Sequence, residues 1–138
     1  LSNREIAILF KLCSNNSFYQ WVNFNLQNIK ANYNKLINNT YLSSIQLKIL
    51  LESTHQSKII GSDKILTGLL NKLNIDSKKI IVLNAMLDLK NRDIIKSTAQ
   101  KILINEKNST NIRIAAGNIL IDDNPELIIK HIGSIFHE

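Results

Sequence analysis

The strongest constraint on this fold is the helical spacing of apolar residues across residues 110–138. Apolar and small residues recur there at intervals of three and four, which places them on one face of a helix. They are Ile112, Ala115, Ala116, Ile119 and Leu120. Asn124 has the side chain of an N-cap, and Pro125 follows at a position where its missing N–H is harmless. A second inward-facing stripe is predicted beyond it, formed by Leu127, Ile128, Ile132 and Ile135. The stretch therefore predicts two antiparallel helices joined by a short turn.

The remainder of the chain also favours helix over strand. It has one proline and four glycines in 138 residues, and no alternation of apolar and polar residues persists. Ser2 and Glu5 have the spacing of a capping box, and Asp76 and Asn91 are predicted N-caps. The further predicted helices cover about 2–14, 17–38, 43–54, 63–73, 78–89 and 92–105. Their short connections predict that consecutive helices are antiparallel neighbours.

Internal similarity indicates a repeat. A shift of 33 residues superposes one apolar set on another: Ile94, Ile95, Ala99, Ile102 and Leu103 on Leu127, Ile128, Ile132, Ile135 and Phe136. A period near 30 is typical of stacked helical hairpins. Gly68 and Gly117 are interpreted as points of close contact between such helices.

The segment Ile112–Leu120 reads Ile-Arg-Ile-Ala-Ala-Gly-Asn-Ile-Leu and is followed by Asn-Pro-Glu-Leu-Ile from Asn124. It resembles the HEAT-like repeat family, whose pattern runs apolar-Arg-x-Ala-Ala-x-x-apolar-Leu and then turns into Pro-Glu. The resemblance implies that Arg113 is structural, with its guanidinium reaching acidic or carbonyl groups between repeats. Asp88 and Asp122 are the acidic partners expected for it.

The fold class predicted from these features is all-α. It is a short α-solenoid of about eight antiparallel helices, HEAT-like, with an atypical N-terminal helix pair. We expect one helical repeat domain over residues 1–138. Within it, 1–41 form an aromatic N-terminal pair and 42–138 form stacked hairpins.

Two surfaces are candidates for binding a partner. The second predicted helix carries Trp21, Phe24, Asn28 and Lys35 on the flank of its apolar seam, a mixture suited to a protein contact. The alternative is that this flank packs on the first helix. At the other end of the chain, Asp122 and Asp123 form an acidic pair, for which the alternative is a solvated turn.

Charge and composition narrow the function classes. The net charge is +6, and no acidic residue occurs between Glu5 and Glu52, so a basic half could steer an acidic protein or a nucleic acid. No nucleophile–base pair, metal-ligand spacing or glycine-rich phosphate loop is present, so no catalytic, cofactor or metal residue is predicted. No apolar run approaches the ~20 residues of a membrane span, and we expect a cytoplasmic protein.

The function predicted from the sequence is a non-enzymatic protein-binding module. One specific form is a bacterial immunity or inhibitor protein that covers a toxin. The alternatives are a HEAT-like domain that binds the nucleic-acid backbone and an adaptor or scaffold fragment.

Overall fold

The computed structural model describes residues 15–24, 43–56 and 62–136. The predicted helix over 2–14, its capping box, and the part of the second helix beyond Phe24 lie outside these ranges. The chain divides into two compact units, Leu1–Ser62 and Asp63–Glu138.

In the first unit, helix α1 (Asn15–Phe24) packs against helix α2 (Ser44–Gln56). Fully buried side chains from both helices form their core: Phe18 and Val22 from α1, and Leu47 and Leu50 from α2. A reciprocal capping box starts α2. Gln46 N–H donates to Ser43 Oγ (3.1 Å), and Ser43 N–H donates to Gln46 Oε1 (3.0 Å). This pairing gives a partner to the backbone N–H and to Oε1 of Gln46, which is buried.

The second unit contains five helices in the described residues, and no strand occurs in any described range. They are α3 (Ser62–Lys72), α4 (Asp76–Met86), α5 (Asp93–Ile104), α6 (Thr110–Leu120) and α7 (Pro125–Ile135). A single 3-10 turn, Leu87–Leu89, extends α4. The prediction of an all-α fold is therefore confirmed for the part of the chain that the structure describes. None of these helices has both the length and the apolar content to cross a membrane.

Helix α6 is the centre of the second unit. It packs against α4, α5 and α7, and α5 also contacts α7. Its predicted apolar face is buried as expected, because Ile112, Ala115, Ala116, Ile119 and Leu120 are each less than 5% exposed. Small residues at Ala115, Ala116 and Gly117 allow three neighbours to surround one helix.

The two glycines predicted to lie at close helix contacts have different environments in the structure. Gly68 is exposed, and a Cβ built on it would meet nothing within 4 Å, so close packing does not explain it. Gly117 is buried, but a Cβ there would lie 3.7 Å from Leu103 Cδ1, an ordinary contact distance. The interpretation of close contact was wrong for Gly68, and at Gly117 the space would accept a methyl group.

The helix caps are partly as predicted. Asn124 caps α7, with its Oδ1 accepting from Leu127 N–H at 3.3 Å, and Pro125 follows at the helix start. The predicted caps Asp76 and Asn91 are wrong, because the N-cap positions of α4 and α5 are Ile75 and Arg92, which make no side-chain capping bond. Asp76 instead lies in the first turn of α4, where its charge favours the positive end of the helix dipole.

Candidate functional site

Arg113 is the charged side chain that is buried in the described part of the second unit, with only 2% of its surface exposed. Its guanidinium donates three hydrogen bonds: Nε to Leu103 O (2.7 Å), Nη1 to Ser134 O (3.0 Å) and Nη2 to Ser134 Oγ (2.9 Å). Leu103 and Ser134 belong to the last turns of α5 and α7, where carbonyl groups lack partners within the helix. The structure therefore places Arg113 on carbonyl groups of two neighbouring helices.

The same end of the unit is reinforced by two neutral donors. Thr110 Oγ1 donates to Ile135 O at 2.9 Å, and Asn108 Nδ2 donates to Ile102 O at 3.1 Å. The C-termini of α5 and α7 thus meet beside the start of α6, which requires α6 to be antiparallel to both. A cation between two helix C-termini is stabilised by their dipoles, which explains how a charge can be buried on carbonyl groups. Arg113 therefore links the C-terminal ends of α5 and α7.

The acidic pair lies at the opposite end, in the turn between α6 and α7. Asp122 pairs with Lys90 at 2.8 Å, and Asp123 pairs with Lys96 at 3.0 Å. Both aspartates are exposed, with 73% and 47% of their side-chain surface accessible. Asp122 is therefore bound to Lys90 and does not serve as the partner expected for Arg113. Each negative charge is already matched by a neighbouring lysine, so the turn presents little net charge.

The aromatic candidates in α1 are described in part. Trp21 is half-buried and stacks on the fully buried Phe18, with ring centroids 6.0 Å apart and an interplanar angle of 29°. Asn28, Lys35 and the side chain of Phe24 lie outside the part of the chain that the structure describes. The proposed patch on this helix stays a prediction, and its described member is anchored to the core of the first unit.

A third surface, on α7, was not identified from the sequence. The outward side of this helix carries Ile129, Ile132 and Phe136, which are 68%, 50% and 62% exposed. With the exposed Pro125 they follow at intervals of four, three and four, so they form one straight stripe about 16 Å long. We call these four residues the outer stripe. The prediction that Ile132 faces inward is wrong: Ile135 is buried and Ile132 is not.

Helix α5 offers an internal comparison for this stripe. Both α5 and α7 pack on α6 and end at Arg113. When their first residues, Asp93 and Pro125, are matched, the positions of the outer stripe in α5 are occupied by Asp93, Ser97, Gln100 and Ile104. Three of these four residues are polar. The fold therefore accepts polar residues along the outward side of a helix in this arrangement, and packing within the unit does not require the apolar residues of α7.

The signal for the outer stripe was present in the sequence. Seven of the eleven residues of α7 are Pro, Leu, Ile or Gly, and the only formally charged ones are Glu126 and Lys130. A helix that is apolar around most of its circumference has more apolar surface than one core can cover. Among the described residues, no group of three or more His, Cys, Asp or Glu side chains is placed to hold a metal ion.

Comparison with known proteins assigns this chain to no family. No protein-family model matches it, and neither a curated protein nor a solved structure does. Among the described residues, eight large apolar side chains are exposed, and the outer stripe brings three of them together on one helix face.

Proposed function

We propose that this chain is a protein-binding helical module and that the outer stripe of α7 is its binding surface. The observation that carries this proposal is the exposure of Ile129, Ile132 and Phe136 on a helix whose other side is half-buried, with Ile135 fully inside the core. Contiguous apolar surface that a fold does not need marks an interaction site more often than isolated exposed residues do. The polar residues at the matching positions of α5 support this interpretation.

We further propose that the second unit is a short HEAT-like stack of helical hairpins. The contacts of α6 with α4, α5 and α7, together with the contact of α5 with α7, are those expected when one hairpin lies on the next. The shared anchoring of α5 and α7 on Arg113 supports the same arrangement. The outward face of α7 carries Ile129, Ile132 and Phe136, each at least half exposed.

The sequence also predicts more specific kinds of protein binding, and these remain proposals. Toxin neutralisation as an immunity or inhibitor protein is one form that protein binding could take, and an adaptor role is another. Neither the inhibitor role nor the adaptor role gains a charged contact surface from the acidic turn, because Lys90 and Lys96 are paired with its two aspartates. The outer stripe is suited to an apolar contact.

The proposal can be tested by capture of proteins from a native extract on the immobilised chain. The test variant is Ile129→Lys with Ile132→Lys, which places two charges in the outer stripe. The matched control is Ile75→Lys, because Ile75 is 54% exposed and lies between α3 and α4. We expect a specific set of proteins to be retained by the wild type and the control and lost with the test variant. If all three baits retain the same proteins, the outer stripe is not a protein-binding surface.

A further inference from the structure

We propose that the occupant of the outer stripe is a second copy of this chain, with α7 packed antiparallel on α7 about a two-fold axis. The inference rests on the proposed function, since it takes the stripe to be a protein-binding surface. It adds the identity of the partner and the geometry of the contact.

The shape of the stripe restricts what can cover it. Pro125, Ile129, Ile132 and Phe136 form a straight ridge along the whole of α7, and the charged residues Glu126 and Lys130 lie to one side. A ridge of this length is covered best by another helix with apolar residues at the same spacing. Gly133 flanks the ridge with open space around it, so a neighbouring backbone can approach closely. A second α7 has both the spacing and the length.

A two-fold axis places the residues of the outer stripe opposite their equivalents in the second copy. In an antiparallel pair centred between Ile129 and Ile132, each of these residues lies opposite the other in the second copy. Phe136 of each copy then lies over Pro125 of its partner. An isologous contact of this kind uses one patch twice, so it needs no second complementary surface on the molecule.

Charge also favours a second copy over an acidic partner. Residues 1–62 contain six basic and two acidic residues, whereas residues 63–138 contain eleven and nine. The net charge is therefore +4 in the first unit and +2 in the second, and α7 itself carries one acid and one base. An acidic partner would gain little at the outer stripe. Two copies of α7 meet without a net charge on either side.

The area of the stripe is small for a stable dimer. From their exposed fractions, the three large side chains offer roughly 300 Å² per copy, compared with the roughly 800 Å² that each partner buries in a stable complex. We therefore expect a weak, reversible dimer that forms only at high protein concentration.

Sedimentation velocity of the purified full chain tests this inference between roughly 10 μM and roughly 1 mM. We expect the weight-average sedimentation coefficient of the wild type and of Ile75→Lys to rise with concentration. For Ile132→Lys, and separately for Ile129→Lys, we expect the monomer value throughout. Far-UV circular dichroism should show the same helical content in all four proteins, because each replaced side chain is at least half exposed in the monomer.

Three results would overturn the inference. They are a wild type that stays monomeric, a dimer that both outer-stripe variants preserve, and an Ile75→Lys control that is lost along with the test variants. The capture experiment on native extract separates this failure from failure of the proposed function. If the chain is monomeric but still retains other proteins through the outer stripe, only the dimer is contradicted. If the chain is monomeric and the outer-stripe variant retains the same proteins as the wild type, both proposals are contradicted.

Discussion

Replacement of Arg113 by Met is the sharpest test of how the second unit is held together. Met keeps an unbranched apolar stem and removes the guanidinium, so the carbonyl oxygens of Leu103 and Ser134 lose a charged donor. The Ser134 hydroxyl loses its bond from Nη2, although it still donates to His131 O at 2.9 Å. The variant thus removes the polar link between the ends of α5 and α7 with little change in the volume of the side chain.

The magnitude follows from the hydrogen bonds and the burial. A hydrogen bond to a charged group contributes roughly 1.5–3 kcal/mol to stability, and Arg113 makes three. Some of this is offset because a buried cation no longer has to be desolvated. The carbonyl groups stay buried after the change, so the loss should dominate. We expect the variant to lower the free energy of unfolding by about 3 kcal/mol, out of the 5–15 kcal/mol typical of a small domain.

Urea unfolding followed by circular dichroism measures this loss. With an m-value of about 1–2 kcal/mol/M, the midpoint should fall by roughly 1.5–3 M. The single tryptophan, Trp21, and all three tyrosines belong to residues 1–62, so intrinsic fluorescence reports on the first unit. We therefore expect the loss in the circular dichroism curve, which includes the helices of the second unit.

Two controls separate the proposed cause from a general effect of removing arginine. Arg92→Met removes an arginine that is 53% exposed and 3.5 Å from Asp63, and such a pair should contribute less than about 1 kcal/mol. Arg113→Lys keeps a positive charge without the planar fork and should recover part of the loss. A loss below about 1 kcal/mol for Arg113→Met, or an equal loss for Arg92→Met, would refute the role given to the guanidinium.

Three smaller predictions concern single positions. Gly68→Ala should raise the free energy of unfolding by about 0.5–1 kcal/mol, measured by urea unfolding, because the added methyl meets no neighbour and helical glycine is unfavourable. Asn124→Ala should lower it by about 1 kcal/mol, because Leu127 N–H loses its cap, whereas Asn124→Ser should restore most of the loss. Lys96→Met should change the thermal midpoint by less than about 3 °C, because its pair with Asp123 is partly solvated; a larger fall would show that the acidic turn stabilises the unit.

Local sequence signals predicted the positions of the helices more accurately than the residues that cap them. The bounds of α3 and α5 agree with the predicted ranges 63–73 and 92–105 to within one residue at each end, because the apolar spacing extends over a whole helix. A cap depends on one residue among several polar neighbours. Backbone geometry places Ile75 and Arg92 at the N-cap positions, although Asp76 and Asn91 have the side chains that usually cap a helix. The capping box formed by Ser43 and Gln46 was not predicted, although its spacing is visible in the sequence.

The environment of Arg113 shows a different limit. Its structural role was implied by the resemblance of residues 112–120 to a repeat, but the expected acidic partner Asp122 is bound to Lys90 instead. The actual acceptors include two backbone carbonyl oxygens, and every residue in the chain has one. Sequence alone does not distinguish one carbonyl from another. Which of them lie near Arg113 follows from where α5 and α7 end, and this depends on tertiary packing.

The direction of α7 depends on tertiary packing in the same way. Apolar residues cover so much of its circumference that a stripe through Ile132 and a stripe through Ile135 are both reasonable from spacing alone. The anchoring of Ser134 and Ile135 by Arg113 and Thr110 fixes the rotation of the helix, and that rotation turns Ile132 outward. The hydrogen bonds of Arg113 therefore have a second effect besides linking the ends of α5 and α7. By setting the rotation of α7, it determines which apolar residues are available to a partner, so the candidate binding surface is a consequence of the packing of α5, α6 and α7.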